Sequence, residues 1–163
     1  MSDTPLTPDD VQAALRAAGL SAEVQILAAS TATAPEAAAA VGTELGSIVK
    51  SILFMVDGQP VLVLTAGDQR VYEAKIAKYF ETSRKKTRIA TPEQCLVYAG
   101  YAPGGVPPLG HRQPDALTIL IDATLSRYET VYGAAGAHNA LFPIRYDDLV
   151  RITGGTVLDV VKE

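Results

Sequence analysis

The residue types and spacings best suited to chemistry lie in one stretch of twelve, from Gly100 to His111, and at one lysine far upstream, Lys50. The stretch reads Gly100-Tyr101-Ala102-Pro103-Gly104-Gly105-Val106-Pro107-Pro108-Leu109-Gly110-His111 and holds four of the 13 glycines and three of the 10 prolines. Glycine permits close backbone approach, and proline fixes φ while removing an amide donor. Their alternation predicts a loop of defined shape, with N–H groups at Gly104, Gly105 and Val106 and none at Pro107 or Pro108. Several amides aimed at one oxygen is the arrangement that stabilises a developing oxyanion. The competing reading is a rigid connection between two elements, because glycine and proline are first of all turn residues.

Lys50 interrupts a strand pattern. Ile48, Lys50, Ile52, Phe54 and Val56 alternate with Val49, Ser51, Leu53 and Met55, so the lysine falls on an apolar face. An ammonium there is costly unless it reaches water or an anionic partner. It either snorkels at the strand end or stands at the mouth of a pocket, holding a phosphate, a ribose hydroxyl or a carbonyl oxygen. His111 either assists proton transfer or caps the loop. Cys95 falls within a predicted helix and reads as core rather than as a nucleophile. No Ser-His-Asp or Cys-His arrangement suggests itself, so water is the expected nucleophile. With Cys95, His111 and His138 alone, a Cys/His zinc site is not expected, and no cofactor is.

The elements that must position these groups alternate along the chain. Thr7-Pro8-Asp9-Asp10 starts a helix that Gly19 ends. Glu23–Ala29 reads as a strand and Pro35–Val41 as a short helix stopped by Gly42. Ile48–Val56 turns through Asp57-Gly58 into Val61–Thr65 as a hairpin. Asp68 is expected to cap a helix carrying Tyr72, Ile76, Tyr79 and Phe80. Thr91-Pro92-Glu93-Gln94 is a capping box, and its helix runs to Gly100 and so into the loop. Leu117–Ile121, Tyr128–Tyr132 and Leu141–Ile144 read as strands, Tyr146–Ile152 and Val157–Val161 as closing helices. Hairpins and helical crossovers together predict a single compact α/β or α+β domain, a mixed sheet or distorted barrel flanked by helices. No Gly-x-Gly-x-x-Gly follows the first strand and no P-loop is present.

Composition bounds the rest. A chain of 163 residues, 48% hydrophobic and 20% charged, suits one domain with a real core. One cysteine excludes an internal disulfide and suits a reducing, cytoplasmic setting. No signal peptide is recognisable and no apolar run is long enough to span a bilayer, so no membrane partner is expected. Net charge is −4, unevenly spread: residues 1–47 carry one base against six acids, 48–99 eight against five, and 100–163 five against seven. The positive excess gathers at Arg84, Lys85, Lys86 and Arg88, which form either a solvated turn or a hold on a phosphate backbone near a small pocket.

The segments 48–54, 63–68 and 100–111, taken in order and spacing, resemble the YbaK family of aminoacyl-tRNA deacylases. These are related to the editing insertion domain of bacterial prolyl-tRNA synthetases. The similarity runs from about Pro35 to the C-terminus. It implies one editing domain over residues 1–163, with residues 1–34 an N-terminal helix and strand packed on it. It further implies that Lys50 occupies the family's lysine position and that Gly104 to Pro108 is the G-x-x-x-P loop at the ester of the charged 3′ end. Lys50, Gly104 and Gly105 are then the expected catalytic groups. Tyr101, Val106, Pro108, His111, Gly136 and Asn139 are the expected substrate contacts, and Arg84, Lys85, Lys86 and Arg88 the nucleic-acid contacts. The implied partners are a mischarged tRNA and an aminoacyl-tRNA synthetase. The implied activity is hydrolysis of the ester of mischarged tRNA, the alternative being a non-catalytic module that holds a nucleotide or tRNA 3′ end.

Overall fold

The computed structural model describes residues 4–163. Its spine is β2 (Ile48–Val56), paired antiparallel from Val49 to Val56 with β3 (Gln59–Ala66). The two-residue turn between them places both Asp57 and Gly58 at positive φ, 51° and 80°. That conformation matches the right-handed twist of the flanking strands, and Asp-Gly tolerates it.

The remaining strands extend this hairpin into an open mixed sheet of eight. They are β1 (Gln25–Ile26), β4 (Thr87–Ile89), β5 (Thr118–Asp122), β6 (Thr130–Ala134), β7 (Ala140–Arg145) and β8 (Thr156–Leu158). The order is β1-β7-β6-β2-β3-β5-β8, with β4 added beside β2. Of the two expected forms, sheet or distorted barrel, the chain adopts the sheet.

Both faces of β2 are buried. Val49, Leu53 and Met55 join Leu62, Leu64, Ile121, Val131 and Phe142, under Val11 and Leu15 of α1 (Pro8–Ala17). Phe54 and Val56 join Val61, Val63 and Leu120 against Ile76 of α3 (Glu73–Tyr79). Ile48 packs on Ala34, Ala37 and Ala38 of α2 (Ala34–Val41). Each such aliphatic side chain contributes roughly 1.5–3 kcal/mol when fully buried. Thr7 and Asp10 form a capping box on α1, and Thr91 and Gln94 form another on α4 (Pro92–Tyr98). The remaining helix, α5, spans Tyr146–Thr153.

Four local expectations are corrected. Residues 157–161 are not a helix: β8 pairs with β5, and Val161 bridges Val71, because β-branched residues there meet an open sheet edge. Asp68 caps nothing; α3 starts after Tyr72, and Asp68 instead holds Arg127 through two hydrogen bonds of 2.7 and 2.9 Å. The basic run is only partly a turn, since Arg88 lies on β4. The first strand contracts to Gln25–Ile26.

The site depends on a break in the ladder. On the flank of β2 away from β3, β6 pairs only with Ile48 and Val49, whereas β4 pairs only with Phe54, Met55 and Val56. Ala90 adds one bond to the Leu53 carbonyl, at 2.9 Å. Lys50, Ser51 and Ile52 therefore have no partner strand on that flank.

Candidate active site

The glycine–proline loop is fastened at its base and across its middle. Arg112 and Gln113 donate their amides to the Ala99 and Tyr98 carbonyls at 2.9 and 3.0 Å. Tyr101 is buried beneath the loop and its hydroxyl donates to the Gly110 carbonyl at 2.8 Å. Burial pushes its phenol pKa well up, so the group stays a neutral strut. Gly105 donates to Ala102 at 3.1 Å and accepts from Gly136 at 2.9 Å. Among the described residues, the Gly104 and Val106 amides donate to no backbone carbonyl.

Fixed in this way, the loop meets the break in β2. A cleft of about 200 Å³ opens there, lined by Lys50, Ser51, Gly104, Val106 and Tyr132, with α2 closing one wall. Lys50 is half-buried, and its ammonium donates to the Gln69 carbonyl at 2.8 Å. Burial lowers its pKa; Asp68 and Asp122 oppose that, and Arg70 adds to it. An ammonium offers three donors, so two remain for a ligand.

The expected site residues thus divide. Lys50, Gly104 and Val106 meet at the cleft. Gly105 departs from its expected role as a donor: its N–H closes a turn onto Ala102 and is not free for an oxyanion. Tyr101 is a buried strut, not a surface contact. Pro108 covers Gly133, where a Cβ would sit 3.0 Å from the proline ring, and it lines a different hollow together with His111. His111 itself bonds the Pro107 carbonyl through Nε2 at 2.7 Å, and burial lowers its pKa. It belongs to the loop's scaffold. Gly136 makes a turn at φ +88°, and Asn139 ties the chain to the Leu27 carbonyl at 3.1 Å.

The basic run lies along the same flank of β2, with Arg88 opposite Met55. Five residues at roughly 3.3 Å each set it about 17 Å from Lys50 along the strand. Arg84 pairs with Glu73 and Lys86 with Asp57, whereas no ion pair involves Lys85 or Arg88 among the described residues. Cys95 is buried on α4, and burial raises its thiol pKa.

Sequence reasoning alone passes over Ser51, Tyr132 and the α2 wall. Ser51 is hidden because strand alternation assigns it to the face opposite Lys50. His138 is also passed over as a contact, yet a Cβ on Gly104 would lie 3.6 Å from its Nε2.

Lys50 and two loop residues whose amides donate to no backbone carbonyl among the described residues thus line one small cleft at a break in a mixed sheet. The chain belongs to the aminoacyl-tRNA editing domain family, which matches residues 28–152. The family places it in translation proofreading, in line with the resemblance drawn from the sequence. The chain is 31% identical over 137 residues to the uncharacterized protein YwhH of Bacillus subtilis, covering 82% of this chain and 83% of that protein. It is 36% identical over 88 residues to a proline--tRNA ligase of Lactobacillus gasseri, spanning 53% of this chain but only 15% of the ligase. A solved structure described as a candidate trans-editing enzyme for prolyl tRNA synthetase is 39% identical, with a TM-score of 0.87 over 96% of each chain.

Proposed function

We propose that the protein is a trans-acting aminoacyl-tRNA deacylase that hydrolyses the ester joining a wrong amino acid to a tRNA. The observation that carries this reading is the meeting of Lys50 with the unengaged Gly104 and Val106 amides at one small cleft. An aminoacyl ester is already activated, so positioning and oxyanion stabilisation are the main requirements. The two amides receive the carbonyl oxygen as it becomes an oxyanion, and Lys50 anchors the terminal adenosine or its phosphate. Water, oriented by the neighbouring ribose hydroxyl of the substrate, adds to the carbonyl carbon. The bond to the ribose oxygen breaks, and that oxygen takes up a proton. The products are the free amino acid and an uncharged tRNA.

Lys85 and Arg88 supply phosphate contacts outside the cleft, on the strand flank that leads to it. The proline--tRNA ligase relatives favour tRNA mischarged by that synthetase as the substrate. A deacylation assay over a panel of mischarged tRNAs tests the reading: the wild-type protein releases a subset of amino acids, and Lys50→Ala does so far more slowly. Tight binding of mischarged tRNA without release of any amino acid would make the protein a binding module instead.

A further inference from the structure

The Gln69 carbonyl holds the Lys50 ammonium at 2.8 Å, so the loop that follows β3 helps to set where that charge stands. The loop is tied down at two points. The Gly67 amide donates to the Ile48 carbonyl at 2.8 Å, and Asp68 receives both arms of the Arg127 guanidinium. Arg127 ends a short helical turn, Ala123–Arg127, that starts where β5 stops. Its Nε donates to the Thr124 carbonyl at 2.6 Å, and its guanidinium lies 5.1 Å from the centre of the Tyr128 ring. The fork is thus oriented by its own neighbours, as a bidentate pair requires. Buried Asp122 clamps the same turn to the end of β3. It accepts from the Thr124 amide at 2.8 Å and from the Thr65 hydroxyl and Ala66 amide at 3.0 Å each. The segment leading into β2 leaves room for the pair at a glycine: a Cβ on Gly46 would meet the Tyr128 hydroxyl and lie 2.9 Å from both Arg127 Nη2 and Asp68 Oδ2.

We propose that Asp68 and Arg127 are positioning residues for Lys50: their pair fixes the loop whose Gln69 carbonyl holds the ammonium, and Arg127 keeps the Asp68 carboxylate from drawing that ammonium off the cleft. The inference rests on the deacylase reading above and adds two residues to its machinery. Neither side chain lines the cleft, so the pair acts on the reaction through Lys50. The charged and titratable groups around Lys50 are Asp68 and Arg70 on the loop, Asp122 at the end of β5 and Tyr132 of β6; α2 brings none to the cleft lining. Asp68 favours the charged lysine, burial and Arg70 oppose it, and Arg127 matches the charge of Asp68. The Arg127 and Asp68 side chains are 40% and 32% exposed, and an ion pair so open to water adds little to stability. Its effect on Lys50 is therefore readable in folded variants.

The test follows the Lys50 ε-methylene by NMR through an alkaline titration in wild type, Arg127→Ala, Arg127→Lys and Asp68→Asn. Single-turnover deacylation, corrected for spontaneous hydrolysis, is measured on the same proteins. Arg127→Ala leaves an unmatched carboxylate near the ammonium, so Lys50 titrates at higher pH than in wild type. Its rate falls about tenfold, the lower end of the loss expected on removing the lysine itself. Asp68→Asn removes the carboxylate, so Lys50 titrates at lower pH, and the rate again falls. Arg127→Lys restores the charge, and with it the wild-type titration and part of the rate. A loss of rate with the titration unmoved shows a pair that serves only the fold, and overturns the proposal. So do shifts of the same sign in Arg127→Ala and Asp68→Asn, or a wild-type rate in folded Arg127→Ala. The titration reads Lys50 without substrate. A wild type that hydrolyses no mischarged tRNA therefore removes the deacylase reading, while shifts of opposite sign still report the hold of the pair on the ammonium.

Discussion

The Gly136 amide donates to the Gly105 carbonyl at 2.9 Å, joining the turn between β6 and β7 to the loop that carries the free amides. This bond ties the two turns together, and their glycines are expected to fail in different ways when substituted. At Gly136, φ is +88° and a Cβ would lie 3.1 Å from Tyr101 Cε1 and 3.2 Å from Pro8 N. Gly136→Ala is expected to cost about 1–2 kcal/mol from the backbone alone, lowering the melting temperature by several degrees in a thermal scan. At Gly104, φ is +90° but the nearest atom to a Cβ, His138 Nε2, is 3.6 Å away. Gly104→Ala is expected to fold with a smaller loss and to lower single-turnover deacylation on the order of 10²-fold, because it misplaces an oxyanion donor. Preserved activity in folded Gly104→Ala would leave the loop as scaffolding.

Lys50→Ala is expected to reduce deacylation roughly ten- to a hundredfold, the loss of a charge-assisted hydrogen bond of about 1.5–3 kcal/mol. Burial lowers the Lys50 pKa from its ordinary 10.5, so the ammonium is lost at a lower pH than on an exposed lysine. Wild-type activity should therefore decline on the alkaline side before pH 10.5, and a rate profile of wild type against Lys50→Arg checks it. The arginine variant keeps its charge and should not show that decline.

His111 gives the opposite signature, in stability rather than rate. Burial holds its pKa below the ordinary 6.5, so in mild acid the unfolded chain takes up a proton that the folded chain resists. Its contribution to stability is present above pH 6.5 and is lost as pH falls towards the folded value. Urea titrations at several pH values should show wild type weakening on acidification and His111→Gln weakening less. Deacylation at neutral pH should be unchanged, since His111 lies off the cleft.

Neutralising Lys85 and Arg88, the two members of the basic run outside any ion pair among the described residues, should weaken binding to intact tRNA. Removing one phosphate interaction should reduce the slope of log affinity against log salt by about 0.7–0.9. Hydrolysis of a minimal aminoacyl-adenosine ester should be unaffected. Equal losses on both substrates would show the run acting through the cleft or the fold.

How far the sequence reveals this molecule depends on the range of the forces involved. The capping boxes at Thr7 and Thr91 and the Asp-Gly hairpin are local, and each is legible because its partners lie within four residues. The limits of β2 follow from its alternation and from the turn. Residues 157–161 mislead because their partners, on β5 and at Val71, lie more than thirty residues away. Asp68 looks like a cap in its own neighbourhood, yet it answers to Arg127. At the site, Lys50 stands out as a charge on an apolar face. Ser51 does not, because nothing near it in sequence says that β6 ends and β4 begins on either side of it.

The walls of the cleft come from separate segments between Thr31 and Leu141, and they meet only when β6 docks beside Ile48 and Val49. A nascent chain that has already produced Lys50 and the glycine–proline loop still has no pocket. It must wait for the strand that forms the far wall and for the turn whose Gly136 steadies the loop. Truncated products of interrupted synthesis that end before β6 would carry both chemical groups without the cleft that brings them together.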